Sequence, residues 1–205
     1  MDRKEDFANK HVPQQEIGEQ MDAIEKRTFE NEAAAIDFFM LAKHRLLNVN
    51  EWSLLAGNGL SEFQLTNAFG NPIEGLAKEG DYLKIDIPGP GSSTGEGYDW
   101  VYIEAVIEER EVGMEAVTLR ARPASNPLSN NGDTAHFLTE QATSTFQVKR
   151  IGEFVYAEEH GRNELANAYT TSTVDNIRNT LVGWAAMLGF SYPQWKSLVK
   201  GILAD

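Results

Sequence analysis

Cysteine is absent from this 205-residue chain. Its absence excludes disulfides, thiolate catalysis and cysteine-ligated zinc or iron–sulfur centres. It also leans toward a reducing compartment, because secreted domains often rely on disulfides. Basic residues are scarce as well. Against 18 Lys and Arg stand 31 Asp and Glu, for a net charge of −13. A field of that sign repels phosphate backbones and anionic lipid surfaces. Only Lys149–Arg150 and Lys196–Lys200 offer local basic clusters, and both are thin. We therefore expect no nucleic-acid binding and no membrane binding. Long apolar runs are missing too. Ala33–Leu41 and Leu181–Phe190 fall far below the ~20 residues of a membrane span. The opening MDRKEDFANKH has no apolar stretch of the signal-peptide kind. The expectation is a cytoplasmic protein.

Catalytic and cofactor signatures are also lacking. No G-x-S-x-G elbow, no Gly-Lys-Ser/Thr phosphate loop and no HxH or HxxxH pair occurs. No cofactor and no metal is expected on these grounds. The oligomeric state is not legible.

What is present is an ordinary core complement, 41% apolar with 10% aromatic residues. That supports one sizeable domain, or a domain plus an arm. Residues 1–28 carry dense charge and sparse apolar positions, so they read as a mobile polar arm, leaving a domain over 29–205. Helical spacing runs from Phe29 to Leu47 through Ala33, Ile36 and Met40. Asn50 resembles an N-cap for a short helix over Glu51–Ala56 that Gly57 would end. From Phe63 to His160 the period becomes two. Leu83, Ile85 and Ile87 alternate with polar residues, as do Val101, Ile103, Ala105 and Ile107. Val117, Leu119 and Ala121 follow, then Phe146 and Val148, then Phe154 and Tyr156. Turns fall at Glu111–Gly113 and Gly152. These are half-buried strands joined by hairpins. Two helices close the chain. One carries the stripe Val174, Ile177, Leu181, Trp184, Ala185 and Leu188, with Ser172 as its cap and Asp175 as capping partner. The other carries Trp195, Leu198, Val199 and Ile202.

The predicted fold class is α+β. Its centre is a strongly curved antiparallel sheet, or a partly closed barrel, of about five to six strands. An N-terminal helix and two C-terminal helices flank it. This element order resembles helix-grip folds of the START-like kind, where a long C-terminal helix covers a curved sheet around a cavity. It also resembles SH3-like barrels with helical additions. Both are resemblances of topology, and fold does not imply function.

Three places invite chemistry. The loop IPGPGSSTGEGYDW over Ile87–Trp100 is too polar to bury itself and must lie at one end of the sheet. It leads to a strand rather than a helix, and Pro88 and Pro90 remove two donors, so phosphate cradling is disfavoured. Whether its Gly89–Gly97 portion is functional stays open. Next, Trp100, Tyr102 and Glu104 share one face of a strand, and Tyr82 and Arg120 on neighbouring strands have the same mixed character. Arg122 joins them. Large aromatics with a few placed polar groups suit a small-molecule pocket, were a helix to cover this face. Glu104 and Arg120 are candidates for an ion pair. Finally, His160 sits among Glu158, Glu159, Arg162 and Glu164, where a carboxylate can tune an imidazole.

These observations favour a binding protein, taking a small apolar or amphipathic ligand or a protein partner at the sheet. An enzyme using Glu104, His136 or His160 as acid and base is the alternative. A structural or assembly module, docking through the arm and the last helix, is the third.

Overall fold

The period-two segments form seven strands of one antiparallel sheet. The computed structural model describes residues 6–57, 61–87, 92–130, 132–168, 172–185 and 191–205, without the side chains of 178, 181–185 and 191. In chain order the elements are β1 (Glu19–Thr28), α1 (Glu32–Leu47), α2 (Trp52–Leu55), β2 (Glu62–Thr66), β3 (Tyr82–Asp86), β4 (Asp99–Glu111), β5 (Met114–Pro123), β6 (Thr143–Ile151), β7 (Phe154–Glu164), α3 (Thr173–Ala185) and α4 (Ser191–Ile202). The strands lie in the order β1-β7-β6-β5-β4-β3-β2. The edges β1 and β2 do not pair with each other, so the sheet is open. That corrects the count of five to six strands and the partly closed barrel.

The extra strand is β1, inside the segment expected to be a mobile arm. It pairs with β7 from Met21↔Gly161 to Thr28↔Phe154. Only Ala23 of β1 is buried, and Ile24 is exposed. The backbone ladder holds this edge strand, with polar anchors such as Arg27 to the Leu203 carbonyl. No apolar period was needed, so none was there to read. Upstream, Phe7 and Ala8 bury themselves against Ala116, Met114 and Ile151.

Helices α1, α2 and α4 cover one face of the sheet. Ala35, Phe39, Ala42 and Leu46 of α1 meet Val117, Leu119, Phe146 and Val148 there. Asn31 caps α1 by accepting the Ala34 N–H at 2.9 Å. Trp52 fills the centre, 4.7 Å from Phe146 and 5.5 Å from Phe63 between ring centroids. Its indole N–H donates to the Leu46 carbonyl. Trp195 of α4 completes the cluster, 5.1 Å from Phe146.

Asn50 is not the cap of α2. It lies in a 3-10 turn, and its side chain instead accepts the Leu65 N–H at 2.7 Å, tying the helical segment to β2. The expected buried stripe along α3 is also corrected in its first turns. Val174 and Ile177 are exposed, whereas Asp175 and Asn179 are buried. Polar anchors set this rotation: the amide of Asn179 donates to the Asn167 carbonyl, and Asp175 accepts from Ser93 and Thr94. The rest of the stripe, Leu181, Trp184, Ala185 and Leu188, lies outside the described side chains.

Candidate functional site

Strand alternation decides which side chains meet. Val101 and Ile103 of β4 enter the helix-covered core. Trp100, Tyr102 and Glu104 therefore point to the other face. Register brings Tyr82, Tyr102 and Arg122 side by side across β3, β4 and β5. The rings of Tyr82 and Tyr102 sit 5.2 Å apart and both are half-buried. A bulge after Ile103 turns Glu104 toward β5. There its two carboxylate oxygens accept one bond each from Arg120 Nε and Arg122 Nε. Burial pushes the Glu104 carboxyl up, but Arg122 and Arg120 outweigh it and hold the group below the usual range. The expected Glu104–Arg120 contact is present, with Arg122 as a second cation. Arg120 also donates to the His11 carbonyl, so the N-terminal segment crosses this face.

Two features differ from the expected pocket. The helices α1, α2 and α4 lie on the opposite face. Trp100 is sealed rather than presented: it is 1% exposed, and its indole N–H donates to the Gly95 carbonyl. The described part of the glycine loop serves α3. The Ser93 and Thr94 N–H groups converge on the Asp175 carboxylate at 2.7 Å each. Paired backbone donors of this kind could hold an anion, and here the anion is the chain's own. Burial raises Asp175, but the bonds from Thr94 and Ser93 outweigh it and lower its pKa. Ser172 accepts the Asp175 N–H, as a capping residue does. Residues 88–91 lie outside the described residues.

The polar face continues across the sheet. Asp22, His160, Thr145 and Arg120 form one cross-strand row through β1, β7, β6 and β5. His160 meets Asp22 through Nδ1 and Glu158 through Nε2. Burial raises Asp22, but His160 and Arg162 outweigh it and hold it low. Glu158 also pairs with the buried Lys149 at 2.7 Å. Three consecutive outward residues of β6 leave buried polar atoms without hydrogen-bond partners among the described residues: Thr143 Oγ1, Thr145 Oγ1 and Gln147 Oε1. The N-terminal segment covers part of this strip, since Gln147 donates to the Ala8 carbonyl.

His136 does not join either group. Its Nδ1 accepts the Leu138 N–H at 3.0 Å, and its ring stacks on Phe137. A polar cleft of about 310 Å³ opens nearby, lined by Asp133, Thr134, Thr139, Glu140, Gln141 and Asn167. Among the described residues no group of three or more His, Asp or Glu could hold a metal ion. None of the helices described is long and apolar enough to cross a membrane.

The structure brings Tyr82, Tyr102, Glu104 and Arg120, which the sequence singled out for their unusual strand face, onto one face of the sheet. Thr143, Thr145, Gln147 and Asp22, on the same face, were not singled out. Outward Thr and Gln on a strand look like solvated residues, and Asp22 lay in the presumed arm. The buried acid Glu159, on the core face of β7, was read only as part of a polar cluster.

No protein-family model and no curated protein sequence matches the chain. Solved structures do resemble it. A hypothetical protein of Helicobacter pylori is 12% identical, with 94% of this chain and 92% of that chain covered, at a TM-score of 0.48. The major latex-like protein 151 of Panax ginseng is 13% identical, with 83% and 96% covered, at a TM-score of 0.39. A protein of Mycobacterium smegmatis is 12% identical, with 92% and 95% covered, at a TM-score of 0.40. Likenesses of this size carry no inference about function.

Proposed function

We propose that this is a binding protein for a small amphipathic acid. The flat apolar part of the ligand lies against Tyr82 and Tyr102, and its acidic group meets Arg122. One observation carries this reading: a single carboxylate, Glu104, faces two guanidinium groups. The cluster keeps a positive charge in a chain of net charge −13. Lys84, stacked 3.6 Å from the Tyr98 ring centroid, adds to the cationic character of this edge. Arg122 is the more exposed of the two arginines, and its planar fork suits a carboxylate. Tyr82 and Tyr102 offer a broad apolar surface with polar tips.

The acid–base reading has less support. Glu104 is held ionised, which disfavours it as a proton donor near neutrality. The acceptor nitrogen of His136 is occupied, and both nitrogens of His160 are engaged. The exposed Val174 and Ile177 on α3 favour a protein partner as the second reading. The cytoplasmic location rests on the cysteine-free composition.

Calorimetric titration with 1-naphthoate, benzoate and the neutral benzamide tests the proposal. The acids should bind and the amide should not. Arg122→Ala should weaken naphthoate at least about tenfold while leaving the melting curve nearly unchanged, the pattern of a binding residue. Equal binding of acid and amide, or an unaffected Arg122→Ala variant, sinks the reading.

A further inference from the structure

The two edges of the sheet end differently. At β2 the edge is closed: Leu65 donates its N–H to Asn50 Oδ1 at 2.7 Å, and its carbonyl accepts the Ile73 N–H at 3.0 Å. β1 runs for 10 residues against 5 in β2, and its edge is open. Which groups lie on that edge follows from the ladder. The Phe29 N–H donates to the Glu153 carbonyl, in line with the register Thr28↔Phe154, and no shift occurs from there back to Met21. Bonded residues alternate along an antiparallel ladder. The odd-numbered residues of β1 therefore turn their N–H and C=O toward β7, and Asp22, Ile24 and Lys26 turn theirs away from the sheet. Among the described residues, nothing bonds to these outward backbone groups. An unpaired edge of this length is a template for another strand.

The side chains of the same residues say which strand fits. Asp22, Ile24 and Lys26 are all exposed on the outer face, Ile24 to 54%. His160 and Arg162 both meet Asp22 through Oδ1, which leaves Oδ2 for a further donor. Lys26 Nζ rests 3.9 Å over the Phe154 ring, at the rim of the sheet. Suppose β1 pairs antiparallel with its own copy about a two-fold axis, so that the helices of both copies stay on one side. Centred on Ile24, the pairing sets Ile24 against Ile24 and Asp22 against Lys26 on each side of the axis. Other centres fit worse. On Ala23, Asp22 faces the apolar Ile24. On Glu25, two Glu25 carboxylates face each other. On Asp22 or Lys26, like charges meet at the axis, which is destabilising.

We propose that the free edge of β1 docks onto β1 of a second copy of this chain, antiparallel and centred on Ile24. The product is an isologous dimer with one continuous sheet. Charged side chains usually guard an edge against foreign strands. Here their order complements one partner, the chain itself, and repels strands in other registers. Each pair of outward residues exchanges two backbone hydrogen bonds across the axis. Ile24 leaves water against its own copy. Strands β7 and β6 separate this edge from Arg122 on β5, so the dimer leaves the acid-binding site proposed above uncovered.

Sedimentation equilibrium of the full chain over a range of concentrations tests the proposal. The mass should approach that of a dimer. Ile24→Asp, which sets two carboxylates on the axis, should leave a monomer with an unchanged circular dichroism spectrum. Asp22→Lys and Lys26→Asp should each weaken self-association at least about tenfold, because like charges then face each other. Mixed, the two variants should form a heterodimer, since each charged pair is again of opposite sign. The cysteine-free chain allows a direct reading of register. Ile24→Cys should oxidise to a disulfide-linked dimer, because bonded pairs stand about 5.5 Å apart at Cα. Thr28→Cys, far from its own copy in this register, should not. A chain that stays monomeric at every concentration overturns the proposal. So does a dimer that survives Ile24→Asp, or cross-linking of Thr28→Cys as readily as of Ile24→Cys.

Discussion

Glu104 and Glu159 are glutamates of two long strands, one on each face of the same sheet. On the outer face, Glu104 of β4 meets Arg120 and Arg122 and is held ionised. On the inner face, Glu159 of β7 meets Phe146 and Ala23 and is pushed toward its neutral form. Residue type is the same and burial is substantial in both. What differs is the pair of cross-strand neighbours that register supplies. The outer face organises charge, and the inner face excludes it. A carboxyl group is shifted toward its anion on one and toward its neutral form on the other.

The contrast is broken most severely from the inner side. Trp52→Ala removes a fully buried ring that touches Phe63, Phe146 and Trp195. It should cost about 3–5 kcal/mol of stability, read from urea melts. A loss below about 1 kcal/mol would show that the aromatic cluster is not the centre of the core.

Acid–base titration sharpens the same comparison. Glu164 has an ordinary value of 4.5 and stands at about 7 in the fold. Between those values the unfolded chain has released this proton and the folded chain still holds it. Stability should therefore fall as pH rises through that window, by about 2–3 kcal/mol once its partial exposure is allowed for. Glu104 and Asp22 act with the opposite sign, because their folded values are depressed. Their contribution is present above 4.5 and 3.8 and disappears as pH drops through the lowered folded values. Chemical denaturation from about pH 5 to 7 should show the decline, and Glu164→Gln should flatten it. An unchanged slope in that variant places the effect elsewhere.

The smallest effect is expected on the outer face. Glu104→Leu leaves Arg120 and Arg122 without their shared carboxylate. Both arginines reach water, so the cost should be about 1–2 kcal/mol rather than that of a buried broken pair. Should Glu104→Leu rival Trp52→Ala in the same melts, the outer face would be a second core and not a charged surface.

Much of this fold was legible because burial leaves a period. Leu83 and Ile85, Val101 and Ile103, and Val117 and Leu119 alternate since each pair feeds one core face. Tyr82, Tyr102, Glu104 and Arg120 were legible as a group for the converse reason: their face carried side chains unlike those of open solvent. Segments held by hydrogen bonds gave no such signal. β1 is an edge strand fixed by its ladder to β7, and Asp22 entered the polar row with it. The rotation of α3 was misread because Asp175 and Asn179 bind backbone groups far away in sequence, and those anchors override the apolar stripe at Val174 and Ile177.

By itself the sequence determined the α+β class, the hairpins from Asp99 to Glu164 and the mixed face that became the candidate site. These follow from local alternation and turn chemistry, which depend only on neighbours along the chain. The tertiary structure decided that the sheet is open and seven-stranded. It decided that Trp100 is sealed beneath its loop. It also decided that Glu104 finds two arginines while Glu159 lies between Phe146 and Ala23. The physical reason is that a side chain's electrostatic surroundings come from the strands beside it, and register between strands is a property of the folded sheet as a whole.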